Sequence, residues 1–189
     1  IAVGTPTDEM KEMFTRVLKG HIAIASSRFP DGTCGKDIDI QARRALHDID
    51  RDYGHGTGHG VGVYLSVHES GTGLHKKAEG AYKPGMFLSN EPGYYEKGKY
   101  GIRIENLILV EEDGTNKTTG DLMLRFNTVS LAPIDARLIE PDMLNHEELE
   151  WLNTYHKTVY DVLSVQDGMS DQDRDWLKQA TAPILKPAP

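Results

Sequence analysis

The stretch from Gly54 to Gly62 carries a glycine at every second position, five in nine residues. Each glycine inside a helix costs about 1 kcal/mol relative to alanine, so we predict a loop or extended segment here. His55 and His59 lie four residues apart, which on an extended segment is about 13 Å at ~3.3 Å per residue. Each ligand of one ion must come within about 2.2 Å of it. We therefore expect only one of these histidines to bind a given metal, unless both are ordinary surface loop residues.

Two carboxylates further along the chain are candidates for the same site. Glu91 ends a predicted strand and precedes a Pro-Gly pair, while Arg103 and Glu105 are two apart on another predicted strand and share a face. An inward glutamate is costly unless it is paired or binds a metal. An imidazole with two carboxylates is a ligand mixture that suits hydrolytic divalent metals. A buried Arg103–Glu105 ion pair, a solvated edge strand and an exposed Glu91 remain alternatives.

Aromatic residues and a third histidine are weaker candidates. His68 is the third histidine in fourteen residues, with a hydrogen-bonded histidine at a strand end as the alternative. Tyr94 and Tyr95 either line an apolar subsite or cover the core. We interpret Trp151 and Trp176 as packing residues.

Charge and cysteine content exclude several classes of protein. The net charge of −8 and pI near 5.4 disfavour binding to nucleic acid or anionic membranes, which needs a basic face. No apolar run approaches the ~20 residues of a membrane span, and no signal peptide is recognised. The single Cys34 cannot form an internal disulfide, which favours a reducing compartment. We predict a cytoplasmic protein with no nucleic-acid or membrane partner.

Helices and strands are mixed over residues 1–133, which we predict as one domain. Thr5 and Pro6 are the predicted N-cap and first residue of a helix that stops before Phe29. A second helix is predicted to begin near Asp37. The remaining predicted elements are strands over 61–67, 86–91, 102–110 and around 122–126, a polar loop over 70–80, and a hairpin at Asp113-Gly114.

From residue 134 to residue 189 the pattern becomes helical, and we predict a C-terminal extension. Asn145 with Glu148 and Ser170 with Asp173 are capping boxes that begin two helices. This segment is also a predicted surface for homodimerisation or for packing against another domain.

Four motifs occur in a fixed order along the chain. They are His55-Gly-Thr-Gly-His59-Gly-Val-Gly, Val67-His68-Glu69, Asn90-Glu91-Pro-Gly-Tyr-Tyr-Glu96 and Gly101-Ile-Arg-Ile-Glu105-Asn. In this order they resemble the catalytic domain of Xaa-Pro aminopeptidases, in the large multi-domain cytosolic form. The resemblance runs over nearly the whole chain, from Gly4-Thr-Pro-Thr to Thr181-Ala-Pro-Ile184. It implies the α+β pita-bread fold, incomplete at its N-terminal side in this chain.

The resemblance also implies a role for each motif residue. The metal ligands would be His59, Glu91 and Glu105, with Glu105 bridging two divalent ions, most readily manganese, with cobalt or zinc as substitutes. Glu91 would be the general base for a metal-bridging water, His55 and His68 would contact the substrate and move protons, and Arg103 would orient ligands. Tyr94 is a further candidate for substrate binding. The substrate would be a peptide with proline in second position, from which the N-terminal residue is removed.

One departure from the family is large. The family has two aspartate ligands just upstream of the Gly-Thr-Pro-Thr string, and this chain starts at Ile1. One metal position would keep three ligands and the other only Glu105. We therefore expect the chain alone to be inactive and to need the upstream part of the same enzyme as a partner. A prolidase-type dipeptidase and a non-catalytic peptide- or protein-binding module on the same fold are the alternatives.

Overall fold

Antiparallel strands, four α-helices and two short 3-10 helices make up the computed structural model, which describes residues 1–64 and 66–186. The helices are α1 (Asp8–Ala25), α2 (Gly35–His47), α3 (His146–Leu163) and α4 (Asp171–Ala180). The strands are β1 (Arg28–Pro30), β2 (Gly58–Gly60), β3 (Glu69–Leu74), β4 (Phe87–Asn90), β5 (Gly93–Glu96), β6 (Tyr100–Arg103), β7 (Asn106–Thr115) and β8 (Leu122–Thr128). Two compact units result, a sheet unit of residues 16–130 and a helical unit of residues 1–15 with 131–189. The predicted domain boundary between residues 133 and 134 stays a prediction.

The sheet unit holds a six-stranded antiparallel sheet with the strand order β1-β8-β7-β4-β2-β3. Strands β5 and β6 form a separate two-stranded sheet. The core consists of apolar side chains of helices, strands and one loop, namely Ile24, Phe29, Ile38, Ala42, Leu74, Tyr82, Leu88, Ile108, Val110, Leu124 and Phe126. Because this core holds β2 and β4 side by side, the histidine motif lies next to the strand that leads into Glu91.

Helix α1 begins two residues later than predicted. The amide of Met10 donates to Oγ1 of Thr7 at 3.2 Å, and the amide of Lys11 donates to the Thr7 carbonyl at 3.0 Å. Thr7 is therefore the N-cap, and the prediction of Thr5 was wrong, because the Thr7 hydroxyl is the one that reaches a free amide of the first turn. The helix ends before β1, as predicted.

The strand predicted over residues 61–67 was wrong. The chain instead forms β2 at Gly58–Gly60 and β3 at Glu69–Leu74, so part of the loop predicted over 70–80 is a strand. A Cβ atom at Gly58 would lie 1.9 Å from the Ser89 carbonyl oxygen. Glycine is therefore needed for β2 to approach β4, and the glycine-rich motif itself enters the sheet. Leu65 lies outside the described residues.

The strand predicted over residues 102–110 is two strands, because β6 ends at Arg103 and β7 begins at Asn106. The hairpin predicted at Asp113-Gly114 was also wrong. Strand β7 continues through it with a register shift between Glu112 and Thr115, and Gly114 adopts φ 71°. Asp113-Gly114 thus forms a β-bulge, while the turn lies over residues 116–121, where the Asn116 amide donates to the Asp121 carbonyl.

The predictions for the helical unit were largely correct. The capping boxes at Asn145 and Ser170 begin α3 and α4. Trp151 stacks on Tyr155 with ring centroids 5.3 Å apart, as expected of a packing residue. Trp176 is 59% exposed, so its interpretation as a packing residue was wrong; Leu177 is the buried residue of α4. Across the described ranges, none of the helices has both the length and the apolar character needed to cross a bilayer.

His21 is a fully buried histidine of α1 within the sheet unit. Its Nε2 donates to Oδ1 of Asn106 at 2.9 Å, and the side-chain amide of Asn90 donates to its carbonyl oxygen at 3.0 Å. Burial lowers the pKa of His21 to about 4, although the Asn106 hydrogen bond opposes the shift. The imidazole is therefore neutral in the folded state across the neutral pH range.

We predict that His21 makes the chain acid-labile. The unfolded chain takes up this proton near pH 6.5 and the folded chain only near pH 4. The stability that neutral His21 contributes is therefore complete above pH 6.5 and lost as the pH falls toward 4, by about 3 kcal/mol. Urea unfolding at pH 7 and pH 4 should show a smaller loss for His21→Gln than for the wild type. The exposed His146→Gln should behave as the wild type, and equal losses for both variants would contradict the prediction.

Candidate functional site

The imidazole of His59 and the carboxylate of Glu91 face each other across β2 and the end of β4. His59 Nε2 lies 3.2 Å from Glu91 Oε1. His59 Nδ1 lies 2.8 Å from the Gly60 carbonyl oxygen, which only accepts, so Nδ1 carries the proton. Nε2 therefore faces a carboxylate oxygen, and either a proton on Nε2 or a bound cation joins the two groups.

Glu91 is buried, and both its carboxylate and its backbone amide have partners. Its Oε1 accepts from Ser89 Oγ at 2.9 Å, and its Oε2 lies 3.6 Å from Nη1 of Arg103. The Glu91 amide donates to the Thr57 carbonyl at 2.7 Å, which ties the strand end to the histidine motif. The side chain is therefore fixed, with its charge directed toward His59 and Arg103.

A second group of side chains connects His55 to Arg103 through Tyr95. His55 Nδ1 lies 2.7 Å from the Gly56 carbonyl, so Nδ1 carries the proton and Nε2 accepts from the Tyr95 hydroxyl at 2.9 Å. The same hydroxyl accepts from Nε of Arg103 at 2.9 Å. Arg103 thus lies between Tyr95 and Glu91, and hydrogen bonds run from the guanidinium to His55.

The two histidines of the glycine-rich motif therefore have different partners. His55 contacts Tyr95, and His59 faces Glu91. The expectation that the two histidines do not share one ion stays a prediction. The ring of His68 lies beside that of His59, with centroids 4.2 Å apart, so His68 joins the same side of the site.

The structure places Tyr95, and not Tyr94, beside His55 and Arg103. The sequence did not distinguish the two tyrosines. Tyr94 is 4% exposed and donates to Oε2 of Glu96 at 2.6 Å, whereas Tyr95 is 44% exposed. Successive residues of a strand point to opposite faces, so Tyr95 shares the exposed face with Arg103. The substrate role of Tyr94 stays a prediction. The glycine at position 93 is the sequence feature that fits this position of Tyr95, because a Cβ atom there would lie 2.7 Å from the Tyr95 hydroxyl.

Glu105 does not join His59 and Glu91 in this structure. Its side chain is exposed and follows the end of β6, so the expectation of an inward glutamate was wrong. Among the residues that the structure describes, no three His, Cys, Asp or Glu side chains come together as a metal site. The structure thus assembles two of the three predicted ligands, and the role of Glu105 stays a prediction.

Comparison with known proteins gives one consistent result. Residues 1–112 match the metallopeptidase family M24, and residues 122–184 match the C-terminal region of peptidase M24. A probable Xaa-Pro aminopeptidase P of Laccaria bicolor is 46% identical over 185 residues, which are 96% of this chain and 29% of that protein. A probable Xaa-Pro aminopeptidase P of Fusarium vanettenii is 47% identical and is covered to 30%. The chain thus spans about three-tenths of the length of the curated relatives it matches.

Solved structures give the same result. The X-prolyl aminopeptidase of Caenorhabditis elegans, described as a cytosolic enzyme with a di-nuclear active site, superposes with a TM-score of 0.90 at 37% identity. That match covers 97% of this chain and 30% of the other. The Xaa-Pro dipeptidase of Bacillus anthracis superposes with a TM-score of 0.57 at 30% identity over 71% of this chain and 34% of the other. These matches agree with the predicted α+β pita-bread fold.

Proposed function

Because the chain belongs to metallopeptidase family M24, we propose that it forms the downstream part of the catalytic domain of an Xaa-Pro aminopeptidase. The observation that carries this proposal is the imidazole of His59 facing the carboxylate of Glu91, with Nε2 and Oε1 3.2 Å apart. Such a pair suits a cation, and the relatives that match nearly the whole chain are named as Xaa-Pro aminopeptidases. The reaction would remove the N-terminal residue of a peptide whose second residue is proline.

The residues present fit a site for divalent metal ions. His59, Glu91 and Glu105 would be ligands, and the two upstream aspartates that the resemblance implies would complete the set. One imidazole with several carboxylates favours manganese, with cobalt or zinc as substitutes. When bound, such ions lower the pKa of water and polarise a carbonyl group.

The remaining chemistry belongs to side chains of this chain. Glu91 would accept the proton of the attacking water, and Arg103, 3.6 Å from its Oε2, would keep this carboxylate in place. His55 Nε2 is hydrogen bonded to the Tyr95 hydroxyl, so His55 would orient substrate through this hydroxyl. His68, beside His59, is exposed and would contact the developing oxyanion.

The proposal is tested with a full-length protein that contains this sequence. We expect manganese-dependent release of the first residue from an Xaa-Pro-Xaa tripeptide, and no release when alanine replaces proline. The 189-residue chain alone should show no cleavage. Cleavage by the isolated chain would contradict the proposed division of the site, and cleavage of only Xaa-Pro dipeptides would favour the prolidase-type alternative, whose fold the Bacillus anthracis dipeptidase shares.

Location and assembly are further parts of the proposal. A cytoplasmic location is supported by the description of the Caenorhabditis elegans enzyme as cytosolic and by the unpaired thiol of Cys34. A homodimer is supported by apolar side chains exposed on the helical unit, among them Trp176 and Leu185. Cell fractionation tests the location, and light scattering of the full-length protein tests the dimer.

A further inference from the structure

A buried ion pair lies on α2, away from the facing pair of His59 and Glu91. Arg43 and Asp39 each have about 2% of their side chains exposed, and Arg43 Nε donates to Asp39 Oδ2 at 2.8 Å. The other guanidinium donors reach Asp39 Oδ1, Asp52 Oδ1, and the carbonyl oxygens of Tyr53 and His55. An arginine has five N–H donors, and here all of them have an acceptor.

Two of these acceptors are main-chain carbonyls at the point where the chain enters the histidine motif. They belong to Tyr53 and His55, on either side of Gly54, and each lies 2.8 Å from a guanidinium nitrogen. Arg43 also lies over the Tyr53 ring, 4.0 Å from its centroid, and that ring contacts the His55 ring at 4.8 Å. The guanidinium therefore fixes both the backbone path and one face of His55.

Asp39 holds the next part of the motif. Its Oδ1 accepts from the Thr57 hydroxyl at 2.6 Å, and Thr57 Oγ1 is hydrogen bonded to the Tyr53 hydroxyl. Burial raises the pKa of Tyr53 to about 12, so this phenol is neutral and able to donate. The Thr57 carbonyl then accepts from the Glu91 amide at 2.7 Å. Contacts thus run without a gap from α2 to both His55 and Glu91.

Glycines at 54, 56 and 58 leave this segment with much conformational freedom, which folding must restrict. A buried ion pair is a poor means of adding stability, because desolvation of the two charges offsets their attraction. Its better attested use is to specify one arrangement. We propose that Arg43 and Asp39 are positioning residues that hold the motif so that His55 Nε2 faces Tyr95 and His59 Nε2 faces Glu91.

The expected effect on catalysis rests on the proposed function. The expected effect on the positions of His55 and His59 does not. A double variant, Asp39→Leu with Arg43→Met, replaces the pair by apolar groups of similar size. We expect the 189-residue chain to stay folded but with a lower urea midpoint, because the Tyr53 and His55 carbonyls and the Thr57 hydroxyl lose their partners. The NMR ring signals of His55 and His59 should shift or broaden. In the full-length protein, kcat for an Xaa-Pro-Xaa peptide should fall by about 10- to 100-fold.

Three further variants make the result decisive. Arg43→Lys keeps the charge but has only three donors on one nitrogen, so its kcat should also fall below that of the wild type. Thr57→Val keeps the ion pair and removes only the hydroxyl link, so it should alter the histidine signals even if the double variant does not fold. Its matched control is Thr72→Val, since within the described residues the buried Thr72 hydroxyl has no hydrogen-bond partner.

Unchanged histidine signals and unchanged kcat in folded double and Thr57→Val variants would overturn the inference, because the pair would then be structural only. A wild-type kcat for Arg43→Lys would also overturn the inference. If the wild-type full-length protein cleaves no Xaa-Pro peptide, the proposed function fails. The histidine signals of the 189-residue chain would still decide whether Arg43 and Asp39 position the motif.

Discussion

Replacing Glu91 by glutamine should lower kcat/KM for an Xaa-Pro-Xaa peptide by about 10³-fold in a full-length protein that contains this sequence. Glutamine keeps the size of the side chain but cannot accept a proton from water. It also removes one negative charge from the proposed metal ligands. Its side-chain amide is able to donate to Nε2 of His59, so the contact between the two side chains becomes a neutral hydrogen bond.

The same replacement should leave folding nearly unchanged, which separates a catalytic effect from a structural one. Urea unfolding of Glu91→Gln should lie close to the wild type, and manganese affinity measured by calorimetry should fall together with kcat/KM. Glu105→Gln should also lose metal affinity, since Glu105 is the proposed bridging ligand. Glu112→Gln on β7 is the matched control and should retain activity. Activity within tenfold of the wild type for Glu91→Gln would exclude Glu91 as the general base.

The sequence predicted that His59 and Glu91 meet better than it predicted the strands that carry them. The motif order placed His59 and Glu91 in one site, and the structure brings them to 3.2 Å. The predicted strand ends were wrong where the close approach of two backbones, and not the pattern of side chains, decides the structure. Gly58 and Gly60 enter the sheet because they lack a Cβ atom, a property that reads as a loop in a single sequence.

Other features depended on partners that are distant along the chain. Tyr95 and Tyr94 have the same side chain, and only the pairing of β5 with β6 shows that Tyr95 faces Arg103. Arg43 lies on the predicted second helix, and nothing local shows that its guanidinium meets the carbonyls of Tyr53 and His55. Local signals such as the Asn145 capping box were read correctly, because three residues suffice to satisfy them.

Replacing Gly58 by alanine should destabilise the chain by about 3 kcal/mol or more, the upper end for overpacking, because backbone has to move. The added Cβ atom would lie 1.9 Å from the Ser89 carbonyl oxygen and 2.9 Å from its carbon. These atoms belong to β4, so relief requires β2 and β4 to separate. Since His59 follows Gly58 and Glu91 follows β4, the same movement would widen the distance between His59 Nε2 and Glu91 Oε1.

Gly54, four residues earlier in the same glycine-rich stretch, is a matched control. No atom lies within 4 Å of a Cβ atom built on Gly54, and its φ is not in the left-handed range. Gly54→Ala should therefore stay within about 0.5 kcal/mol of the wild type or become slightly more stable, because alanine restricts the unfolded chain. Urea unfolding of both variants measures the difference. Equal stabilities would show that β2 does not pack against β4 through Gly58, and the close approach that brings His59 to Glu91 would need another cause.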